Sequence, residues 1–231
     1  IESLSYFKDR LEETKNIKIS LDISQEKKEN EDWIEKFEQS IDPVTVGDFF
    51  IRTSFHKAND DYVNIEINPS LAFGTGHHFT TKSIIENLAT YSSKNQSLID
   101  VGCGSGILSI VANKLSLNVV SCDIDDVAVQ VSKDNFAKNN INDDKIFQGS
   151  INNHQDKYDI VLANLVSDVI IALCSDFKNI LKVNSYVFFS GILAKNKDKV
   201  LAKYSFLRCV KQILSDDGDW VTLILRNDIE K

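Results

Sequence analysis

The feature that most restricts the fold of this chain is the alternation of strand-like and helix-like segments from residue 97 onward. The apolar runs SLIDV, NVVSCDI and YDIVLAN predict buried strands, and helical runs lie between them. Parallel strands need crossover helices to bring the chain back, so five such units favour a mainly parallel, doubly wound α/β sheet. Sheets of this kind bind ligands at the carboxyl ends of their strands.

Further segments complete this pattern. We predict helices at residues 107–115, 126–140, 165–182 and 194–205, and strands at KIFQG and SYVFFS. The last two strands, FLRCVKQILS and GDWVTLIL, follow each other without an intervening helix. They are therefore expected to form an antiparallel hairpin at one edge of the sheet.

The N-terminal part has a different pattern. Residues 1–14 predict an amphipathic helix and residues 16–23 a strand, and a short helix carries Trp33. We divide the chain into a partial, small α+β domain with its linker over residues 1–40 and a main domain over residues 41–231. Because the chain starts with isoleucine and contains no methionine, we expect its natural start to be missing.

Two more strands, VGDFFIR and DYVNIEI, precede the main alternation. The segment between them and the first long helix, NPSLAFGTGHHFTT, is rich in glycine and proline and predicts a loop. Its tail runs into a helix near residues 78–90, with Thr80 or Thr81 in the first turn. The adjacent His77 and His78 cannot easily face one metal, so loop or capping roles are expected for them.

Composition limits the classes of partner. There are 34 acidic and 26 basic residues, a net charge of -8, which disfavours nonspecific nucleic-acid binding and suits either a basic partner or solubility alone. The four cysteines form no C-x-x-C pair, so neither zinc nor a disulfide framework is expected. No signal peptide and no run of 18 apolar residues is found. We expect a cytoplasmic monomer without a membrane partner.

A glycine-rich turn joins the first strand of the alternation to its helix. Gly102, Gly104 and Gly106 let the backbone pass close to a ligand, and the helix start offers free N–H groups. The spacing is G-x-G-x-G and differs from the G-x-G-x-x-G of dinucleotide binders. A purely structural tight turn is the alternative interpretation.

Two polar residues end neighbouring strands. Asp123 ends NVVSCDI, where a carboxylate can accept hydrogen bonds from both ribose hydroxyls of an adenosine; alternatively it caps the next helix, although Asp125 or Asp126 can do so instead. Asn164 ends the fourth parallel strand, which is expected beside the first. Its amide can reach a methyl donor or an accepting amine, or it can cap the helix that follows.

In the loop AFGTGHHFTT, Gly74 and Gly76 permit an unusual backbone path. The hydroxyls and helix-start N–H groups there suit a cofactor carboxylate, and a structural loop with a threonine cap is the alternative. The glycines also motivate the hypothesis that this loop acts as a lid.

The segments NPSLAFGTGHHFTT, IDVGCGSGILSI, CDIDDVAV, DIVLANLV, SGIL and GDWVTLILR, in this order, resemble the bacterial ribosomal protein L11 methyltransferase family, PrmA. The resemblance covers roughly residues 31–231. It implies a class I (Rossmann-like) methyltransferase domain, S-adenosylmethionine as cofactor, and a basic ribosomal protein methylated on lysine side chains and its N-terminal amine. The family's small N-terminal domain recognises the substrate, and only about 40 residues precede the linker here.

Carried over by motif, the resemblance places cofactor contacts at Thr81, Gly102, Asp123 and Asn164. The full expected set adds four residues, namely Phe73, Gly74, Gly104 and Ser150. Because it ends the fourth strand, Asn164 is also the expected catalytic residue; its amide oxygen or a nearby backbone carbonyl is predicted to orient the accepting amine.

Three alternatives remain open. Release-factor methyltransferases carry Asn-Pro-Pro-Tyr after the fourth strand, whereas Asn164 is followed here by Leu165 and Val166. An NAD-dependent oxidoreductase is disfavoured by the glycine spacing. An inactive adenosine-binding scaffold is the alternative from a non-enzyme class, because intact binding residues do not establish turnover.

Overall fold

The strand–helix alternation forms one seven-stranded sheet in the computed structural model, which describes residues 39–68, 76–152 and 154–228. The strands of this sheet are β4 (Ser97–Val101), β5 (Asn118–Asp123), β6 (Ile146–Gln148), β7 (Tyr158–Asn164), β8 (Leu181–Leu193), β9 (Arg208–Leu214) and β10 (Trp220–Arg226). The helices are α1 (Phe79–Leu88), α2 (Ile107–Lys114), α3 (Asp126–Lys138), α4 (Ser167–Ala172), α5 (Cys174–Ile180) and α6 (Lys197–Lys203). Short 3-10 turns lie at Ala89–Tyr91 and Ala194–Asn196.

The order across the sheet is β6-β5-β4-β7-β8-β10-β9. The first five strands are parallel, and β10 is antiparallel to both of its neighbours. The predicted doubly wound sheet with an antiparallel edge hairpin is therefore confirmed. The fourth parallel strand, β7, pairs with the first, β4, so the ends of these two strands lie side by side.

Successive residues of the central strands pack into two different apolar cores. Leu98 packs in one apolar cluster together with Ile110 of α2, whereas Ile99 packs in the other together with Phe177 of α5. Side chains alternate between the faces of a sheet, and helices cover both faces here. This explains why SLIDV is apolar throughout and does not alternate with polar residues.

Ahead of the large sheet lies a small one of three strands, β1 (Val44–Val46), β2 (Phe49–Arg52) and β3 (Val63–Glu66). The prediction of a single strand VGDFFIR is wrong, because the chain turns at Gly47 and pairs β1 with β2 antiparallel. The alternating apolar pattern fits two short strands as well as one long strand.

The predicted helix over residues 165–182 is also wrong. Leu165 stays extended because its N–H donates to the carbonyl of Ser190 and prolongs the pairing with β8. The helical part then divides into α4 and α5 at Leu173, whose ψ of 10° departs from helical geometry. The predictions for residues 1–38 lie outside the described residues. Within the described ranges, no helix is long and apolar enough to cross a membrane.

Candidate functional site

The glycine turn and the end of β5 are joined by backbone hydrogen bonds. The N–H groups of Gly102 and Cys103 both donate to the carbonyl of Cys122, at 2.8 and 3.0 Å. The Gly104 N–H donates to Oδ2 of Asp123 at 3.0 Å. The turn and the acidic residue, 21 positions apart in the sequence, therefore form one surface at the carboxyl ends of β4 and β5.

Gly102 is required by two independent constraints. Its φ of +76° is left-handed, which strains residues with a side chain. A Cβ at this position would also lie 2.4 Å from Cδ2 of Leu165, in the loop after β7. The turn therefore has a structural reason for glycine in addition to any ligand.

Asp123 remains available to a ligand. The helix α3 is capped by Asp125, whose Oδ1 accepts from the Val127 N–H at 3.0 Å, so the capping alternative for Asp123 is wrong. Asp123 Oδ1 accepts from the Asp125 N–H at 3.1 Å. Each oxygen of a carboxylate has two lone pairs, and this half-buried side chain retains acceptor capacity toward solvent.

Asn164 at the end of β7 has a buried polar atom without a partner. Its Nδ2 donates to Thr81 Oγ1 at 3.3 Å, whereas its Oδ1 has no hydrogen-bond partner among the described residues. The helix α4 has Val166 as its N-cap, so the capping alternative for Asn164 is wrong as well. An unpaired buried oxygen costs about 1–3 kcal/mol, which motivates the expectation of a ligand donor there.

Gly191 of β8 lies close against the backbone that follows Asn164. A Cβ on Gly191 would lie 2.7 Å from the carbonyl oxygen of Leu165 and 3.1 Å from Asn164 Oδ1. The SGIL segment of the sequence thus contains the residue that permits the close approach of β8 to the end of β7. Sequence reasoning quoted this segment without finding its role.

Thr81 is positioned through a cluster of buried hydroxyl groups. Thr222 of β10 contacts both Ser83 and Ser190 at 2.6 Å, and Ser190 Oγ donates to the carbonyl of Thr80 at 2.9 Å. These bonds fix the first turn of α1 on β8 and β10. Thr81 follows in the same turn and is thereby brought to Asn164.

His78 caps this helix. Its side chain accepts from the Thr80 N–H, and its ring packs edge-on against Trp220 with the centroids 5.0 Å apart. The prediction of a capping role for this histidine pair is confirmed for His78.

Asp100 is a buried carboxylate that sequence reasoning did not assign. Its Oδ2 accepts from Ser109 Oγ at 2.6 Å, while Oδ1 has no partner among the described residues. Burial raises the pKa of Asp100 to about 6, the hydrogen bond from Ser109 opposes this, and the nearby charge of Asp123 adds to it. A second unpaired acceptor thus lies beneath the glycine turn. The available signal was an acidic residue two positions before the first glycine of the turn.

The cysteines beside the turn are not nucleophiles. Burial raises the pKa of Cys122 to about 12 and that of Cys103 well above its usual range, so both thiols stay protonated at neutral pH. Within residues 39–68, 76–152 and 154–228, no group of three or more His, Cys, Asp or Glu side chains is arranged to hold a metal ion.

Ile124 is the second residue that sequence reasoning missed. It follows Asp123 directly and is 75 % exposed, which is high for an isoleucine in a chain with a well-filled core. Val166 and Val169 are exposed after β7 in the same way. An apolar side chain directly after an acidic residue at a strand end is the signal that could have identified Ile124.

Of the remaining expected residues, the structure describes Ser150. Ser150 follows Gly149, whose N–H donates to the carbonyl of Asp123 at 2.8 Å, so it lies at the same end of the sheet. Phe73 and Gly74 lie outside the described residues. The assembled acceptors and the exposed Ile124 fit an adenosyl ligand that carries hydroxyls, a flat base and a cationic group.

The whole sequence matches known proteins. The profile of the family described as ribosomal protein L11 methyltransferase (PrmA) matches residues 2–228. A ribosomal protein L11 methyltransferase of Nitratiruptor sp. is 41% identical over 230 residues, which are 99% of this chain and 80% of that protein. The protein of the same name from Campylobacter fetus is 42% identical over 214 residues, 92% of this chain and 76% of the relative.

Solved structures agree with the sequence match. The crystal structure of a ribosomal protein L11 methylase from Lactobacillus delbrueckii has a TM-score of 0.74 at 25% identity and covers 81% of this chain and 99% of that one. Trm5 of Methanocaldococcus jannaschii, solved in complex with adenosine, has a TM-score of 0.59 at 12% identity, covers 94% of this chain and 84% of that one, and supports the fold alone.

Proposed function

This chain belongs to the family of ribosomal protein L11 methyltransferases, and we propose that it methylates lysine side chains and the N-terminal amine of ribosomal protein L11. It is an S-adenosylmethionine-dependent protein methyltransferase. One observation supports the proposed site at the carboxyl ends of the strands. It is the unpaired, buried Oδ1 of Asn164, which lies beside Thr81 and at the same end of the sheet as the glycine turn.

The cofactor-binding residues follow from the acceptors at these strand ends. Asp123 accepts hydrogen bonds from the ribose hydroxyls, and Ile124 provides an apolar surface for one face of the adenine. The backbone of Gly102 and Gly104 lets the cofactor approach closely. Asp100, with its unpaired Oδ1, faces a donor of the cationic methionine part, directly or through water.

The other expected cofactor contacts are Ser150, Thr81, Phe73 and Gly74. Ser150 lies one residue beyond the backbone bond that ties Gly149 to Asp123. Thr81 lies in the first turn of α1, where the N–H groups of Thr80, Thr81 and Lys82 are paired with His78, so it is the helix dipole that favours a carboxylate there. Phe73 and Gly74 lie outside the described residues, and we keep them as proposed cofactor contacts.

The reaction needs a neutral amine. When bound, S-adenosylmethionine supplies an electrophilic methyl group on a positively charged sulfur. Lysine is mostly protonated at neutral pH because its ordinary pKa is about 10.4, and burial next to a positive charge lowers that value. Asn164 Oδ1 would accept a hydrogen bond from the neutral amine and so would orient the amine for methyl transfer. Orientation of this kind supplies roughly 7–11 kcal/mol in favourable cases.

The partner and the domain arrangement belong to the same proposal. A net charge of -8 suits a basic protein substrate and disfavours direct contact with nucleic acid. The enzyme acts as a monomer in the cytoplasm, where the bacterial ribosome is assembled. Residues 1–40 serve substrate recognition and residues 41–231 catalysis. The described acceptors all lie in the second range, while the family match begins at residue 2.

The test is incubation of the protein with ribosomal protein L11 and S-adenosylmethionine carrying a labelled methyl group, followed by mass spectrometry of the substrate. We expect label on lysine side chains and the N-terminal amine, and a rate of labelling lower by about 100-fold or more with Asn164→Ala at equal protein concentration. Cofactor binding without any transfer to the substrate would identify an adenosine-binding scaffold and overturn the proposal.

A further inference from the structure

One face of helix α3 and its C-cap residue, Asn139, together carry three buried polar side chains. Ser132, Asn135 and Asn139 are at most 6 % exposed, and their spacing of three and four residues places them on the same side of the helix. Buried polar side chains are kept where they have hydrogen-bond partners. The partners of this face belong to two segments distant in the sequence.

The side-chain amides of the two asparagines pair with backbone groups at the end of β3, as the backbone of a neighbouring strand would. Asn139 Oδ1 accepts from the Glu66 N–H at 3.0 Å, and its Nδ2 donates to the Glu66 carbonyl at 2.7 Å. Asn135 repeats this arrangement with Asn68, at 2.9 and 3.2 Å. Strand β3 is an edge of its sheet, and residues two apart face the same side, so the two amides satisfy its open edge.

Asn135 also contacts the glycine turn, and the described contacts of Asn139 include none to that turn. Asn135 Nδ2 donates to the carbonyl of Ser105 at 2.9 Å, and Ser132 Oγ donates to the carbonyl of Gly104 at 2.8 Å. Two successive carbonyls of the glycine turn are thus held by α3. The C=O and N–H of one peptide unit lie in one plane, so fixing the carbonyls also fixes the direction of the N–H groups.

We propose that Asn135 is a positioning residue that couples the glycine turn to residues 66–68, at the end of β3. The proposal rests on the function above, in which the turn holds S-adenosylmethionine. One amide holds both sides, so a cofactor that stabilises the turn also stabilises the end of β3. Removal of the amide donor uncouples the two and weakens cofactor binding.

The sharpest test is a matched pair of variants, Asn135→Asp and Asn139→Asp. Each replaces an amide that accepts one backbone N–H and donates to two carbonyls, those of Asn68 and Ser105 in one case and of Glu66 and Asn135 in the other. Both variants keep the accepted bond and lose the donated bonds. Only the first touches the glycine turn.

The readouts are calorimetric titration with S-adenosylhomocysteine, the thermal midpoint, and hydrogen exchange of residues 63–68 with and without that ligand. For Asn135→Asp we expect at least a tenfold rise in Kd and loss of the ligand-induced protection of residues 63–68. For Asn139→Asp we expect a comparable fall in thermal midpoint, a Kd within about twofold of wild type, and protection retained.

Each outcome decides the proposal. Equal Kd values for the two variants, or retained protection in Asn135→Asp, would overturn the coupling while leaving the proposed function standing, provided that the wild type binds. A wild type that binds no S-adenosylhomocysteine would overturn both. If Asn135→Asp does not fold, Asn135→Ala and Asn139→Ala replace the pair. Failure of Asn135→Ala alone to fold would assign the residue to stability and reject the positioning role.

Discussion

The polar side chains at the two ends of the parallel strands differ in how fully they are hydrogen-bonded. At the amino end, Asp159 of β7 accepts from the N–H and Oγ of Ser97 in β4 and from Lys182 Nζ in β8, at 2.9, 2.7 and 2.8 Å. At the carboxyl end of β4 and β7, Asp100 and Asn164 each keep a buried oxygen without a partner among the described residues.

The pKa values follow the same division. Partial burial alone would raise the pKa of Asp159, but the hydrogen bonds from Lys182 and Ser97 outweigh it and hold the pKa below its usual range. Burial without full pairing raises the pKa of Asp100 to about 6. One end of the sheet is therefore satisfied internally and contributes to stability, whereas the other carries a cost that a bound ligand can relieve.

The largest effect is expected from Asn164→Ala at the carboxyl end. Methylation of ribosomal protein L11 should fall by about 100-fold to 1000-fold in kcat/KM, since one oriented polar contact in a transition state is worth that much. Stability should change little, because removal of an unpaired buried oxygen offsets the loss of the hydrogen bond to Thr81. Steady-state kinetics and thermal unfolding measure the two quantities. Wild-type turnover in the variant would remove Asn164 from the mechanism.

The next effect concerns Asp100→Asn and its pH dependence. The folded-state pKa of about 6 lies above the ordinary value of 3.8, so the folded state favours the proton. The wild type should therefore lose stability relative to the variant as the pH rises from 4 to 7, by up to about 3 kcal/mol. Urea unfolding at several pH values tests this. A pH-independent difference between the two proteins would show that Asp100 titrates normally.

A smaller effect is expected from Gly102→Ala. The left-handed φ costs about 1–2 kcal/mol for a residue with a side chain, and the new methyl group pushes against the flexible end of Leu165. The protein should remain folded with a lower thermal midpoint, and its affinity for S-adenosylhomocysteine should fall several-fold. Full affinity in the variant would indicate that the cofactor does not pass close to this turn.

The smallest effect is expected at the amino end, from Asp159→Asn. The pair with Lys182 is partly exposed, so its loss should cost about 1 kcal/mol at pH 7. Because the folded pKa of Asp159 is lowered, this stabilisation should disappear as the pH falls below the ordinary pKa, the opposite direction to Asp100. Unfolding curves of both variants across one pH series show whether the two directions differ. Equal signs would refute the contrast between the two ends.

The sequence predicted the part of this comparison that depends on local pattern. The apolar runs and the glycine turn were sufficient to predict a parallel sheet with an edge hairpin, and β7 was correctly expected beside β4. These features are readable because strands buried on both faces are apolar throughout and because a strand-to-helix turn needs glycine.

The rest depends on contacts between distant segments. The extended conformation of Leu165 follows from its bond to Ser190, and the role of Gly191 from its approach to the same backbone. Asn135 looks like an ordinary helix residue in the sequence. Its partners, Asn68 and Ser105, are 67 and 30 residues away, and no local pattern predicts such pairing.

The most direct measurement of the central claim, that the carboxyl end of the sheet holds S-adenosylmethionine, compares one acidic residue at each end. Calorimetric titration with S-adenosylhomocysteine is performed on the wild type, Asp123→Ala and Asp159→Ala. Hydrogen bonds to a charged acceptor are worth about 1.5–3 kcal/mol, so Asp123→Ala should raise Kd by at least tenfold. Asp159→Ala should leave Kd within about twofold. An unchanged Kd in Asp123→Ala, or a larger change in Asp159→Ala, would contradict the account.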